Sequence, residues 1–129
     1  MMYNKIVQDC FFEPRHIGSI VDSASLVAHL RGVQKAQGVV IDLFLQCSAD
    51  GFVIRSCFKA NGNPYVIAAL EWVCRQIEGQ HIDVLQASYY QHLISELGIP
   101  VNQSPVALQI DGVYQEVLVL MRDKLRGQS

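Results

Sequence analysis

The first half of the chain contains two runs of alternating apolar and polar residues on either side of one tight turn, and this limits the possible folds more than any other feature. Val39, Ile41, Leu43, Leu45 and Cys47 fall on one parity, and Val40, Asp42, Phe44 and Gln46 on the other. A period of two belongs to a strand with two distinct faces, so one face must be covered. Ser48-Ala49-Asp50-Gly51 supplies a turn, and Phe52 to Lys59 returns. Strict alternation there puts Phe52, Ile54, Ser56 and Phe58 on one face and Val53, Arg55, Cys57 and Lys59 on the other. Leu26 to Arg31 alternates in the same way and predicts a preceding strand. The three together make an antiparallel meander.

The period then lengthens. Val66, Leu70, Val73 and Ile77 recur at helical spacing and Gly79 follows as a stop. Ser88-Tyr89-Tyr90-Gln91 has the form of a capping box, and Leu97-Gly98 that of a helix end. A last helix starting near Pro105 carries Val106, Ile110, Val113, Val117 and Leu120 as its apolar stripe. Tyr3 to Phe12 predicts a short opening helix that ends before Pro14. Strands followed by helices predict an α+β fold, a small three-stranded antiparallel sheet with helices packed on one face. At 129 residues the whole chain, 1–129, is expected to form a single domain.

Composition excludes several function classes. The net charge of −2 offers no basic footprint for nucleic acid and no polybasic membrane patch. No apolar run approaches the ~18 residues of a membrane span, and Met1 to Asp9 has no leader-like apolar core. A cytoplasmic protein is expected, with no membrane insertion. Half of the residues are hydrophobic and 17% are charged, so an apolar partner surface is expected beside the core. Cys10, Cys47, Cys57 and Cys74 show no C-x-x-C pair and read as free thiols.

Several strings, in order, resemble the IscU / NifU N-terminal family of iron–sulfur cluster assembly scaffolds. Phe12-Glu13-Pro14-Arg15-His16-Ile17-Gly18 is similar to that family's aromatic-x-N-P-R-N-x-G segment. Asp50-Gly51 followed by Phe58-Lys59 resembles the hairpin before its first long helix. Glu96-Leu97-Gly98-Ile99-Pro100 resembles the stretch around its L-P-P-V-K motif, although the second proline and the lysine are missing. The resemblance implies a cluster held by three cysteines, aided by an aspartate and a histidine. It maps the first cysteine and the aspartate of an A-C-G-D string onto Gln37 and Val39. The second cysteine, in a G-C-G string, maps onto Asn63. The histidine and third cysteine map onto Pro105 and Val106. All five positions depart from the family pattern, and none supplies the thiolate that a cluster or an incoming sulfur needs.

The replacements suit local structure. Asn63-Pro64 and Ser104-Pro105 each place a capping side chain before a proline at the first helical position. The expected function is therefore a non-catalytic protein-binding adaptor or regulator with no cofactor and no bound metal. Its partners would be proteins, including iron–sulfur assembly components. The alternative is a scaffold or iron-binding protein that uses non-family ligands or a site shared between subunits. The choice between monomer and homodimer is open.

Few other residues invite a chemical role. Val39, Ile99, Val101 and Val106 are the candidate partner surface, an apolar patch at the former ligand end, with burial in the core as the competing reading. Cys57 is the remaining candidate reactive thiol, because it sits on the more polar strand face near Asn63, though without a recognisable partner. Cys10, Cys47 and Cys74 are expected in packing. The four histidines show no ligand spacing. Asp9, Glu13, Glu71 and Glu78 read as solvated helix charges, and Arg15 as an anchor for the N-terminal segment. No nucleophile motif or phosphate loop is present.

Overall fold

The computed structural model describes residues 3–21 and 26–127, with the backbone alone at Gln37. Helix α1 (Lys5–Phe12) is capped by Asn4, whose Oδ1 accepts the Val7 N–H at 2.8 Å. Strands β1 (Val27–Gln34), β2 (Val39–Cys47) and β3 (Val53–Ala60) form one antiparallel sheet in the order β1-β2-β3. Helices α2 (Pro64–Ile77), α3 (Tyr90–Leu97) and α4 (Ser104–Arg126) follow. The expected α+β architecture is the one observed.

The helices cover one sheet face. Helix α4 packs on β1 and β2, α2 on β3, α1 on α2 and α3 on α4. The core between the layers takes Ile41, Leu43 and Leu45 from β2, Phe58 from β3, Val66, Leu70, Val73 and Ile77 from α2, and Ile110, Val113 and Val117 from α4. Gly32 allows the close approach of α4 to β1, since a Cβ there would lie 2.5 Å from Val113 Cγ2.

Several expectations are corrected by packing. Strict alternation in β3 fails because of a β-bulge: Gln46 faces Arg55 and Cys47 faces Val53, which leaves Ile54 as the extra residue. Val53 therefore turns into the core, while Phe52 and Ile54 are exposed. In α4 the inner stripe ends on Leu118 and Met121, and Leu120 is exposed. Ser104 is the first helical residue and caps nothing; its hydroxyl donates to the Val101 carbonyl at 2.7 Å. The capping box at Ser88 is replaced by a tertiary cap. Asp111 of α4 accepts the Ser88 hydroxyl and the Tyr89 N–H, both at 2.7 Å.

The N-terminal segment closes the free edge of β3. The Gly18 N–H donates to the Phe58 carbonyl and the Phe58 N–H to the His16 carbonyl, each at 2.9 Å. Glu71 holds this segment in place and is fully buried, not solvated. Its Oε1 accepts the N–H groups of Arg15 and His16 at 2.9 Å, and its Oε2 lies 2.7 Å from His16 Nδ1 and from Arg75 Nε. Burial pushes this carboxyl up, but the hydrogen bonds from Arg75, His16 and the backbone outweigh it and hold the carboxyl below its ordinary range. Arg75 also reaches Asp9 and the Glu13 carbonyl. Glu78, half-exposed, accepts Ser56 N–H at 2.9 Å. The anchor expected of Arg15 is thus its backbone amide.

Candidate functional site

Three loops meet at one end of the molecule, and they carry the five positions that the resemblance maps to ligands. Gly38 ends the turn after β1 with φ 66°, a left-handed conformation suited to glycine. Asn61 ties this turn to the end of β3: its Oδ1 accepts the Val40 N–H at 2.7 Å and its Nδ2 donates to the Gly38 carbonyl at 3.0 Å. Asn63 then opens α2 with Pro64 at its first position. Its Oδ1 accepts the N–H groups of Tyr65 at 2.9 Å and Val66 at 3.3 Å, as the sequence predicts. Its Nδ2 donates to Gln103 Oε1 at 2.8 Å, which links the second loop to the start of α4. Gln109 Nε2 donates to the Val39 carbonyl at 3.4 Å and closes the third side.

The polar side chains described at these loops are amides, which are poor ligands for a soft metal. Asn63 uses both ends of its amide for protein contacts. Pro105 is exposed and has no donor atom. The unpartnered buried acceptors, Gln34 Oε1 and Gln109 Oε1, are amide oxygens, which suit hard cations and not an iron–sulfur cluster. Among the described residues no three His, Cys, Asp or Glu side chains converge as a metal-binding group.

The expected apolar patch does not form. Val39, Ile99 and Val106 belong to the main core, with Val106 only 1% exposed. Val101 alone is exposed, at 89%. The loops fold inward far enough that the helix layer covers the other three side chains.

All four cysteines are buried and unpaired. Cys57 packs with Ile20, Val27 and Phe44 in a small second cluster on the outer sheet face. Burial pushes its thiol up, and the same cause raises Cys10, Cys74 and Cys47, the last to about 11. Reactive thiols need the opposite shift.

The sequence reading missed the charged row on that outer face. His29 Nε2 lies 2.7 Å from Asp42 Oδ1, and Arg31 donates to both oxygens of Asp42 at 3.0 and 3.1 Å. The His29 ring stacks on Phe44, with centroids 4.2 Å apart and planes within 7°. Alternation does signal that Asp42 and Phe44 share a face with His29 and Arg31, but not that they pair.

The family of NifU-like N terminal domains matches residues 2–119. Two relatives, from Buchnera aphidicola of Schizaphis graminum and of Acyrthosiphon pisum, are each named iron-sulfur cluster assembly scaffold protein IscU. They are 31% and 27% identical over 100 residues, covering 78% of this chain and 78% and 79% of theirs. The N-terminal NifU-like protein of Brucella abortus has the same fold, with TM-score 0.68, 15% identity and 94% of each chain covered. A putative iron–sulfur assembly scaffold for the SUF system from Fervidobacterium islandicum superposes at TM-score 0.59 with 14% identity, over 92% of this chain and 94% of its own. With its sheet order, its helix layer and its three converging loops, the chain belongs to the family of NifU-like N terminal domains.

Proposed function

We propose that this chain is a single-domain family member that has lost the cluster ligands. It acts as a non-catalytic protein-binding adaptor or regulator in iron–sulfur cluster assembly, the process named for its relatives. The observation that carries this reading is the closure of the three loops. Asn63 caps α2 and bonds to Gln103, Asn61 clamps the Gly38 turn, and Val39 and Val106 lie in the core. A loop that receives sulfur must present a free thiolate, and the chain's four thiols are all buried with raised pKa values. A cytoplasmic setting fits this reading. No helix among the described residues is long and apolar enough to cross a membrane.

Anaerobic reconstitution with ferrous iron, sulfide and dithiothreitol tests the proposal. The expected result after desalting is a colourless protein with iron and acid-labile sulfide at the level of a thiol-alkylated control. A brown protein that retains both in stoichiometric amounts would overturn it and establish a scaffold that uses other ligands.

A further inference from the structure

We propose that the outer face of the sheet is a docking surface for an acidic segment of a partner protein. This supplies the adaptor reading with a surface, and it rests on that reading only in taking the partner to be a protein.

The sheet register sets out the face in rows. Arg31 lies opposite Asp42, and Asp42 opposite Lys59. One step along, His29 lies opposite Phe44, and Phe44 opposite Cys57; one step further, Val27 meets Gln46, and Gln46 meets Arg55. Neighbouring strands are about 4.8 Å apart, so Arg31 and Lys59 flank Asp42 at a span of about 10 Å.

Asp42 is the one carboxylate among the described residues of these rows, and its capacity is already taken. It is 6% exposed, and its oxygens bond to His29 and Arg31. Burial pushes its carboxyl up, but the hydrogen bonds from Arg31 and His29 prevail and keep it ionised below its ordinary range. The side chain of Lys59, directly across from it, has no hydrogen bond or ion pair among the described residues and is exposed. The Arg31 side chain is 64% exposed, and Arg55 is exposed as well.

Ile20 of the N-terminal segment packs with Val27, Phe44 and Cys57 and covers the middle of the face, so the part offered to solvent is a rim carrying Arg31, Arg55 and Lys59, cationic on a chain whose net charge is −2. A cavity of about 330 Å³ bounded by Val40, Asp42, Lys59, Ala60 and Asn61 opens beside Lys59. Val33, 55% exposed, adds an apolar contact next to Val40.

The occupant follows from the charges and their support. Three exposed cations on adjacent strands, one of them with no side-chain partner among the described residues, complement carboxylates about 10 Å apart, two strand spacings. Nucleic acid is disfavoured, because the aromatic ring here, Phe44, is buried beneath His29 and offers no face for base stacking.

Fluorescence anisotropy of labelled octaglutamate at low salt tests the proposal, with octaglutamine and an eight-residue oligothymidine as comparators. The expected result is binding of octaglutamate alone. It should weaken about tenfold in Lys59→Glu and in Arg55→Glu, and should also weaken as salt shortens the screening length below about 10 Å. Lys124→Glu makes the same charge change away from this face and is expected to leave binding within about twofold, since a distant exposed charge is screened. Circular dichroism confirms that each variant is folded; Arg55→Glu stands in if Lys59→Glu is not. Three results would each overturn the proposal: no binding of octaglutamate, equal loss with Lys124→Glu, or tighter binding of the oligothymidine. None of these readouts involves iron or sulfide, so failure here is separable from failure of the reconstitution test.

Discussion

Glu71→Gln is the substitution in which the structure makes its strongest quantitative claim. Glutamine keeps the volume of the side chain but removes the charge and replaces one oxygen with an NH2 group. Glu71 is fully buried, and four donor nitrogens converge on it: two backbone amides, His16 Nδ1 and Arg75 Nε. One amide oxygen can still receive the backbone pair, but the NH2 then confronts Arg75 Nε–H, donor against donor. Removing one partner of a buried charged network costs about 3–5 kcal/mol, and retention of two bonds places this variant at about 3 kcal/mol. For 129 residues, at about 2.1 cal/mol/K of unfolding entropy per residue, the melting temperature falls by about 11 °C. The pH dependence follows from the depressed carboxyl. Because its folded pKa lies below the unfolded value of 4.5, its contribution is complete above that pH and is lost as pH falls through the folded value. Calorimetry from pH 7 down to pH 3 should show a steep acid decline in the parent protein and a shallower one in the variant. A fall of less than about 3 °C at neutral pH, or acid limbs of equal steepness, would refute the account of Glu71 as the anchor of the N-terminal segment.

Other consequences are as direct. Gly32→Ala drives a Cβ to 2.5 Å from Val113 Cγ2 and should cost about 1–3 kcal/mol in urea unfolding, with part of the loss recovered in the double variant with Val113→Ala. Asn63→Ala removes the α2 cap and the link to Gln103, lowering stability by about 1 kcal/mol, and chelator should shift neither the parent nor the variant melting curve. The four thiols should react slowly with a disulfide reagent in native buffer and fully in denaturant; a rapid stoichiometric reaction of the native protein would contradict the burial of Cys57.

What could be read from the sequence was what local periodicity determines. The order of strands and helices, the Asn63-Pro64 cap and the Gly98 stop all depend on residues within one turn or one strand. The errors lie where distant residues decide the outcome. Alternation groups Phe52 and Ile54 with Ser56, yet the bulge opposite Gln46 and Cys47 turns Val53 inside and leaves Phe52 and Ile54 exposed. Ser88 has the form of a capping box, but Asp111 caps the segment from another helix. Glu71 looks like any helix carboxylate, because its backbone donors lie more than fifty positions earlier, at Arg15 and His16. The apolar residues at 39, 99 and 106 were compatible with a patch or with core, and only the packing of α4 over β1 and β2 distinguishes the two.

The proposed loss of ligands at one end and the proposed docking face meet at Asn61. Its side chain clamps the Gly38 turn, and its residue also borders the cavity beside Lys59. A metal loop must keep its donor atoms free and its backbone able to adjust around an ion. In this chain the same loops are closed by amide hydrogen bonds from Asn61, Asn63 and Gln109. A partner seated on the outer face would therefore meet a fixed surface at its upper rim, with no ordering cost from the loops. Opening that clamp with Asn61→Ala should weaken octaglutamate binding although the substitution removes no charge. That outcome would tie these loops to the docking face, whereas unchanged binding would show that the two ends of the sheet act independently.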